Sequence, residues 1–139
     1  MSTTFDPPLD GDRLEAFHEW LFAPWVKDLG LVDLQVGPGW ARAILPQQAH
    51  LQWASGATCG QALMAAIDTV ASLAMSTTDR QAKGTASQNT QFIRPAAGDD
   101  LVIHTEVLRF GTVIGYGETK VTFADSGKLV AHSTCEFVF

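Results

Sequence analysis

Asp68 stands in a stretch that a sequence built only for packing would leave uncharged. From Gly60 to Ser76 the chain reads Gly-Gln-Ala-Leu-Met-Ala-Ala-Ile-Asp-Thr-Val-Ala-Ser-Leu-Ala-Met-Ser, with no Lys, Arg or Glu. A helix that is apolar nearly all round is a buried helix. An unpaired carboxylate there costs on the order of several kcal/mol. Asp68 therefore either has a structural partner, such as a strand hydroxyl or the backbone, or it lines a cleft and does chemistry. The chemistry open to it is general-base activation of water or nucleophilic attack on a carbonyl carbon. Positions 61, 65, 68 and 72 share one helical face, so Gln61, Asp68 and Ser72 make a polar stripe on an apolar rod.

A second group lies at the start of the same segment. Thr58-Cys59-Gly60-Gln61 fits a capping box, with a hydroxyl at the N-cap and Gln three residues on. Gly60 then sits in the first turn, where amides lack intrahelical partners and the helix dipole is positive. Such amides can hold a developing oxyanion, and a glycine lets a carbonyl approach closely. Gly60 could equally serve tight packing alone. Gly60 and Asp68 are separated by about 12 Å along one helix at the usual rise. One reacting carbonyl cannot touch both, so joint action requires two chains with antiparallel helices across a two-fold axis. Cys59, at a helix N-terminus, is a further nucleophile candidate, although no histidine partner is identifiable. His18, His50, His104 and His132 show no metal spacing, and no metal is expected.

These groups need a scaffold, and 139 residues suffice for one domain with a real core. Hydrophobic residues make up 46%, which argues against disorder. The net charge of −6, without a Lys/Arg cluster, argues against nucleic-acid binding. Cys59 and Cys135 form no framework, and the N-terminus (Asp6, Pro7, Pro8, Asp10, Asp12) lacks the basic and apolar regions of a signal peptide. No segment reads as a membrane span. The expectation is a cytoplasmic protein without a membrane partner.

Along the chain, residues 1–11 read as a loose leader. A short amphipathic helix follows, with Asp12 as candidate N-cap, Leu14, Phe17, Leu21 and Phe22 on its apolar face, and Pro24 ending it. Strand patterns occupy 31–36 and 40–45, 46–56 is a loop, and the central helix spans about 58–76. Four further strands are expected at 84–93, 100–110, 113–124 and 128–138, separated by short turns. Short connections imply an antiparallel sheet, and one apolar helix must be wrapped by it, giving an α+β arrangement. The division expected is 1–28 as leader and short helix, and 29–139 as the main domain.

Two segments resemble the hotdog-fold thioesterases, specifically the phenylacetate-degradation type of acyl-CoA thioesterase. The first is Ser55-Gly56-Ala57-Thr58-Cys59-Gly60-Gln61 running on to Asp68-Thr69, similar to the family's glycine-containing loop, helix start and helical acid. The second is Thr85 through Asn89 to Phe92-Ile93-Arg94-Pro95-Ala96, similar to its third-strand signature. The resemblance covers roughly 29–139. It departs at the helix start, where many members carry His-Gly-Gly and an earlier Asn. Here those positions fall on Cys59-Gly60-Gln61 and on Trp53, with His50 and Gln52 nearby.

The resemblance implies a hotdog fold and hydrolysis of an acyl- or aryl-CoA thioester. Asp68 would be base or nucleophile and the Gly60 amide the oxyanion donor, in paired sites of a homodimer, with dimers pairing into tetramers. Thr85 would position water or the acid, with Asn89 assisting from the same strand face by period two. Gln61, Ser72, Trp53 and Arg94 are candidate substrate contacts, and Lys83, Arg80 and Arg109 further candidates for the phosphates of coenzyme A. Trp53, Phe92, Met64, Met75 and Trp40 are candidates for the acyl pocket. Coenzyme A enters as part of the substrate, and no separate cofactor is expected. Two other functions stay open: a non-catalytic hotdog protein that binds acyl-CoA, and a hotdog dehydratase or hydratase.

Overall fold

The computed structural model describes residues 5–139; the first part of the expected leader, residues 1–4, lies outside the described residues. A 3-10 turn at Gly11–Arg13 leads into α1 (Leu14–Leu21) and the single turn α2 (Pro24–Lys27). Then come β1 (Val32–Gly37), β2 (Trp40–Leu45), a 3-10 turn at Ala49–Leu51 and the long helix α3 (Gly60–Met75). Four strands complete the chain: β3 (Gly84–Phe92), β4 (Leu101–Phe110), β5 (Ile114–Phe123) and β6 (Leu129–Val138).

All six strands form one antiparallel sheet in the order β1-β2-β4-β5-β6-β3. The sheet wraps α3, which is the hotdog arrangement expected from the sequence. Period-two alternation decides which side chains meet the helix. Leu101, Ile103 and Thr105 on β4, and Ala131, Ser133, Cys135 and Phe137 on β6, are buried against it. In β5 the inward positions include Gly115 and Gly117, and a Cβ on Gly117 would lie 2.9 Å from Cys135 Sγ and 3.1 Å from Met75 Cε. Absent side chains there let the C-terminal end of α3 press onto the sheet. Met75 is consequently fully buried core, not an acyl-pocket residue.

The sheet leaves one face of α3 uncovered. Ala66, Ile67, Val70, Leu73 and Ala74 are fully buried, whereas Gln61 and Met64 are exposed and Asp68 and Ser72 half-buried. Beside that face runs β3, an edge strand paired only with β6 and exposed over most of its length.

The N-terminal segment departs from expectation. Leu9, Leu14 and Phe17 join the same core as α3 and the sheet, and the Leu9 N–H donates to the Ser76 carbonyl at 2.8 Å. Phe5 packs edge-on against Phe17 at 5.1 Å. Residues 5–11 are thus docked rather than loose, because their apolar side chains bury against the end of α3. The expected cap at Asp12 does not form: Asp10 caps the 3-10 turn by accepting from the amides of Asp12 and Arg13, and α1 itself begins after Arg13 with no side-chain cap.

Candidate active site

The uncovered face of α3 presents Asp68 to a chamber of about 310 Å³ lined by Leu21, Phe22, Ser72, Lys83, Thr85 and Phe137, among others. The Thr85 hydroxyl donates to Asp68 Oδ1 at 2.6 Å. Among the described residues Asp68 has no ion pair, so its charge is held by this hydroxyl and by its opening to solvent. The Ser72 hydroxyl donates to the Asp68 carbonyl at 2.7 Å, one helical turn back. Behind the acid, burial and then the neighbouring Asp68 carboxylate push the Cys135 thiol up to about 11. Cys135 is therefore a neutral thiol at physiological pH.

A bulge in β3 between Thr85 and Ser87 decides which strand residues face the helix. Thr85 reaches Asp68; beyond the bulge the parity inverts, so Gln88 and Thr90 point inward. The Gln88 amide donates to the Met64 carbonyl at 3.3 Å, and the Thr90 and Ser133 hydroxyls lie 2.9 Å apart. Asn89 is thereby turned to the opposite face from Thr85, where its side-chain oxygen accepts from Gln91 at 3.2 Å. The expected same-face placement fails because the inserted residue shifts a period-two count by one. Gln88 is the strand side chain that sequence reasoning missed, and a bulge has no sequence signal strong enough to reveal it.

The N-terminus of α3 makes a second cleft of about 360 Å³, lined by Trp53, Thr58, Gly60, Phe92, Arg94 and Pro95, among others. The first intrahelical bond runs from the Leu63 amide to the Cys59 carbonyl at 3.1 Å, and no side chain caps the helix. The amides of Gly60, Gln61 and Ala62 are left free, as helix geometry requires. The expected capping box does not form. Cys59, not Thr58, is the N-cap. Thr58 is held in a β-bridge with Gln52, its amide donates to the Ala96 carbonyl at 3.0 Å, and its hydroxyl donates to Gln47 at 3.3 Å. Gln61 consequently stands exposed on the open face of α3.

Gln47 organises this end, a role the sequence does not announce. Its amide donates to the carbonyls of Ala96 and Asp99 at 2.9 and 2.8 Å, tying the loop before α3 to the loop after β3. The two residues near the departed family positions are engaged elsewhere. His50 Nε2 lies 3.2 Å from the Asp28 carbonyl, and the Gln52 amide donates to Gln47 at 2.9 Å.

Asp68, Thr85, Ser72 and Lys83 thus share one cleft, and Gly60, Trp53, Phe92 and Arg94 the other. Trp40 is in neither; it stacks on His104 with ring centroids 5.9 Å apart. Arg80 is also removed from candidacy, since its guanidinium donates to the Gly111 and Thr112 carbonyls at 2.7 Å and lies over the Phe139 ring. Arg109 stands on β4 and lines neither cleft. Among the described residues Lys83 and Arg94 form no ion pair, and no group of three or more His, Cys, Asp or Glu side chains could hold a metal ion. No helix is long and apolar enough to cross a membrane.

Residues 58–136, which carry both clefts' helix and most of the sheet, match the family model of the thioesterase superfamily. A conserved protein of Pseudomonas aeruginosa superposes with a TM-score of 0.77 at 31% identity, covering 86% of this chain and 96% of that one. Zebrafish thioesterase superfamily member 2 superposes with a TM-score of 0.84 at 19% identity, covering 94% and 98%. A mutant of the phenylacetic acid degradation protein PaaI from Thermus thermophilus gives 0.75 at 26% identity, covering 84% and 98%. No curated protein matches the chain.

Proposed function

The chain belongs to the thioesterase superfamily, and from that premise we propose that it hydrolyses an acyl- or aryl-CoA thioester to the free acid and coenzyme A. The observation that carries this reading is the Asp68 carboxylate, held by the Thr85 hydroxyl at 2.6 Å and facing an open chamber from the uncovered face of α3. A carboxylate so placed takes a proton from water as that water attacks the thioester carbon, or attacks the carbon itself. With Asp68 as base, the C–S bond breaks, the sulfur takes up the proton and leaves as the thiol of coenzyme A, and the water oxygen stays in the acid. With Asp68 as nucleophile, the thiol leaves first, and water then hydrolyses the acyl–Asp68 anhydride to release the acid and restore the carboxylate.

The negative charge that develops on the carbonyl oxygen needs donors, and the free amides at Gly60 supply them. Asp68 and Gly60 line separate clefts, about 12 Å apart along α3. A second copy resolves that separation. Pairing two β3 edges antiparallel would cover the exposed strand, lay the open faces of two α3 helices side by side, and bring Asp68 of one copy to Gly60 of the other. The proposed unit is a homodimer with two composite sites, dimers pairing further into tetramers. Trp53 and Arg94 would flank the substrate on the Gly60 side, and Lys83 at the mouth of the Asp68 chamber. Gln61 and Ser72 would border it along the helix. Arg94, which forms no ion pair among the described residues, is the candidate on the Gly60 side for the phosphates of coenzyme A. A cytoplasmic setting is part of the same proposal.

The test is release of free thiol from a panel of acyl- and aryl-CoA thioesters, with Asp68→Asn beside the unaltered protein. Asn keeps the volume and still accepts from Thr85, so the fold should stand while turnover falls by about 10²–10⁴-fold. Turnover unchanged in a folded Asp68→Asn protein rejects Asp68 as the acting group. A second reading, an acyl-CoA-binding protein without turnover, is favoured by Cys59 and Trp53 standing where the family carries His and Asn. Tight binding of the whole panel with no thiol release from any member selects that reading.

A further inference from the structure

Part of the lining of the chamber beside Asp68 lies outside the residues of the family match. That match begins at residue 58, whereas Leu21 and Phe22, which line the chamber, come from the end of α1. Their position has a local cause. Pro24 opens α2 at its first turn and cannot continue α1. The chain leaves α1 at Phe22 in an extended conformation, with φ −91° and ψ 145°. His18, one turn back, backs the Phe22 ring at 5.3 Å between centroids. The segment is anchored to the body by the Leu9–Ser76 hydrogen bond and by Phe17 in the core. Leu21 is 39% exposed, a large apolar side chain facing a cleft rather than the core.

The chemistry of the chamber selects which part of a thioester it takes. Its hydroxyl protons are already engaged: Thr85 donates to Asp68, Ser72 to the Asp68 carbonyl and Ser76 to the Ser72 carbonyl. The donors left over, on Lys83 and Gln81, come from the loop before β3, whereas Leu21, Phe22 and Phe137 give the rest of the lining an apolar surface that suits an acyl group. The Gly60 cleft, by contrast, offers free backbone amides and Arg94. A volume of about 310 Å³ is at the small end of ligand pockets, enough for an acyl or aryl group but not for coenzyme A.

We propose that Leu21 and Phe22 form the end wall of an acyl chamber beside Asp68 and set the length of acyl group the site accepts, an inference that rests on the thioester-hydrolysis reading above. The experiment measures kcat/KM for straight-chain acyl-CoA thioesters from two to ten carbons, and for an arylacetyl-CoA, with Leu21→Ala and Leu21→Trp beside the unaltered protein. In parallel, Kd is measured for non-hydrolysable S-alkyl-CoA thioethers of the same lengths. Leu21→Ala should raise the ratio of longest-chain to shortest-chain kcat/KM by roughly tenfold or more, and Leu21→Trp should lower it by as much. The thioether Kd ratios should move in the same directions. Ratios that stay put in both folded variants overturn the wall, as does an equal change for every chain length and for free coenzyme A, which would place the pantetheine arm there. If no thioester is cleaved yet the thioether ratios still follow residue 21, hydrolysis is rejected and the acyl wall stands.

Discussion

Replacing Gly60 by proline deletes the proposed oxyanion donor and leaves the fold in place. Gly60 is the first residue of α3, a position where proline is favoured because its amide is unpaired and its φ already suits the helix. Proline also requires an extended residue before it, and Cys59 has φ −70° and ψ 153°. The nearest atom to an added Cβ is Phe92 Cζ at 3.4 Å, on a ring that is 52% exposed and can yield. Loss of one such donor lowers kcat by about 10²–10³-fold, or about 2.7–4 kcal/mol of transition-state stabilisation. Thermal unfolding should change little. The same variant tests the composite site, because a mixed dimer of Gly60→Pro and Asp68→Asn chains contains one site with both intact groups. Random re-assortment of equal amounts of the two inactive proteins should then restore about a quarter of the unaltered activity, since half the dimers are mixed and each has one working site. If both groups act within one chain, mixing restores nothing. Full activity in Gly60→Pro, or silence in verified mixed dimers, refutes the reasoning.

Thr85→Ala removes the one side-chain hydrogen bond to the Asp68 carboxylate among the described residues, a bond to a charged group contributing about 1.5–3 kcal/mol. Thiol-release assays should show kcat down by roughly 10–100-fold, with Thr85→Ser retaining most of it; equal loss in both variants would deny the hydroxyl that role. In the core, the Thr105 and Thr119 hydroxyls lie 2.6 Å apart, both fully buried. Thr105→Val should lower stability by about 1–3 kcal/mol in urea titrations, and adding Thr119→Val should recover much of it by removing the orphaned partner. His18 responds to pH. Burial, aided by Lys27 and opposed by Glu19 and Glu15, holds its ring below the ordinary value of 6.5, and Nε2 is buried with no partner among the described residues. The unfolded chain therefore binds a proton at higher pH than the folded one, so stability is full above the unfolded value and falls as pH drops through 6.5. The urea midpoint should decline over that window, and His18→Gln should flatten the decline; an unchanged slope assigns it to another group.

The fold was largely legible because hydrophobic period and turn residues act locally. The central helix was expected at 58–76 and spans Gly60–Met75, and the last strand was expected at 128–138 and spans Leu129–Val138. Asp68 was legible for the same reason: a lone charge in an apolar helix is a conflict visible in one dimension. Its neighbour Thr85 was legible through the family motif. Asn89 lies off the expected face because a bulge inserts one residue into a count of two, and that bulge exists only in the pairing of β3 with β6. Thr58 was misassigned as a cap because a hydroxyl three residues before Gln61 satisfies the pattern, whereas the long-range bridge to Gln52 and the hydrogen bond to Ala96 claim that residue first. The docking of Leu9, and the placing of Leu21 and Phe22 beside an acid some 47 residues later in the chain, had no local signal at all. Sequence alone determined the elements, their order and the presence of a lone carboxylate on the central helix, since each depends on side-chain period and on the cost of burying a charge. Only the tertiary structure decided which groups share a cleft, because proximity across the sheet and the helix face is set by packing between segments distant in the chain.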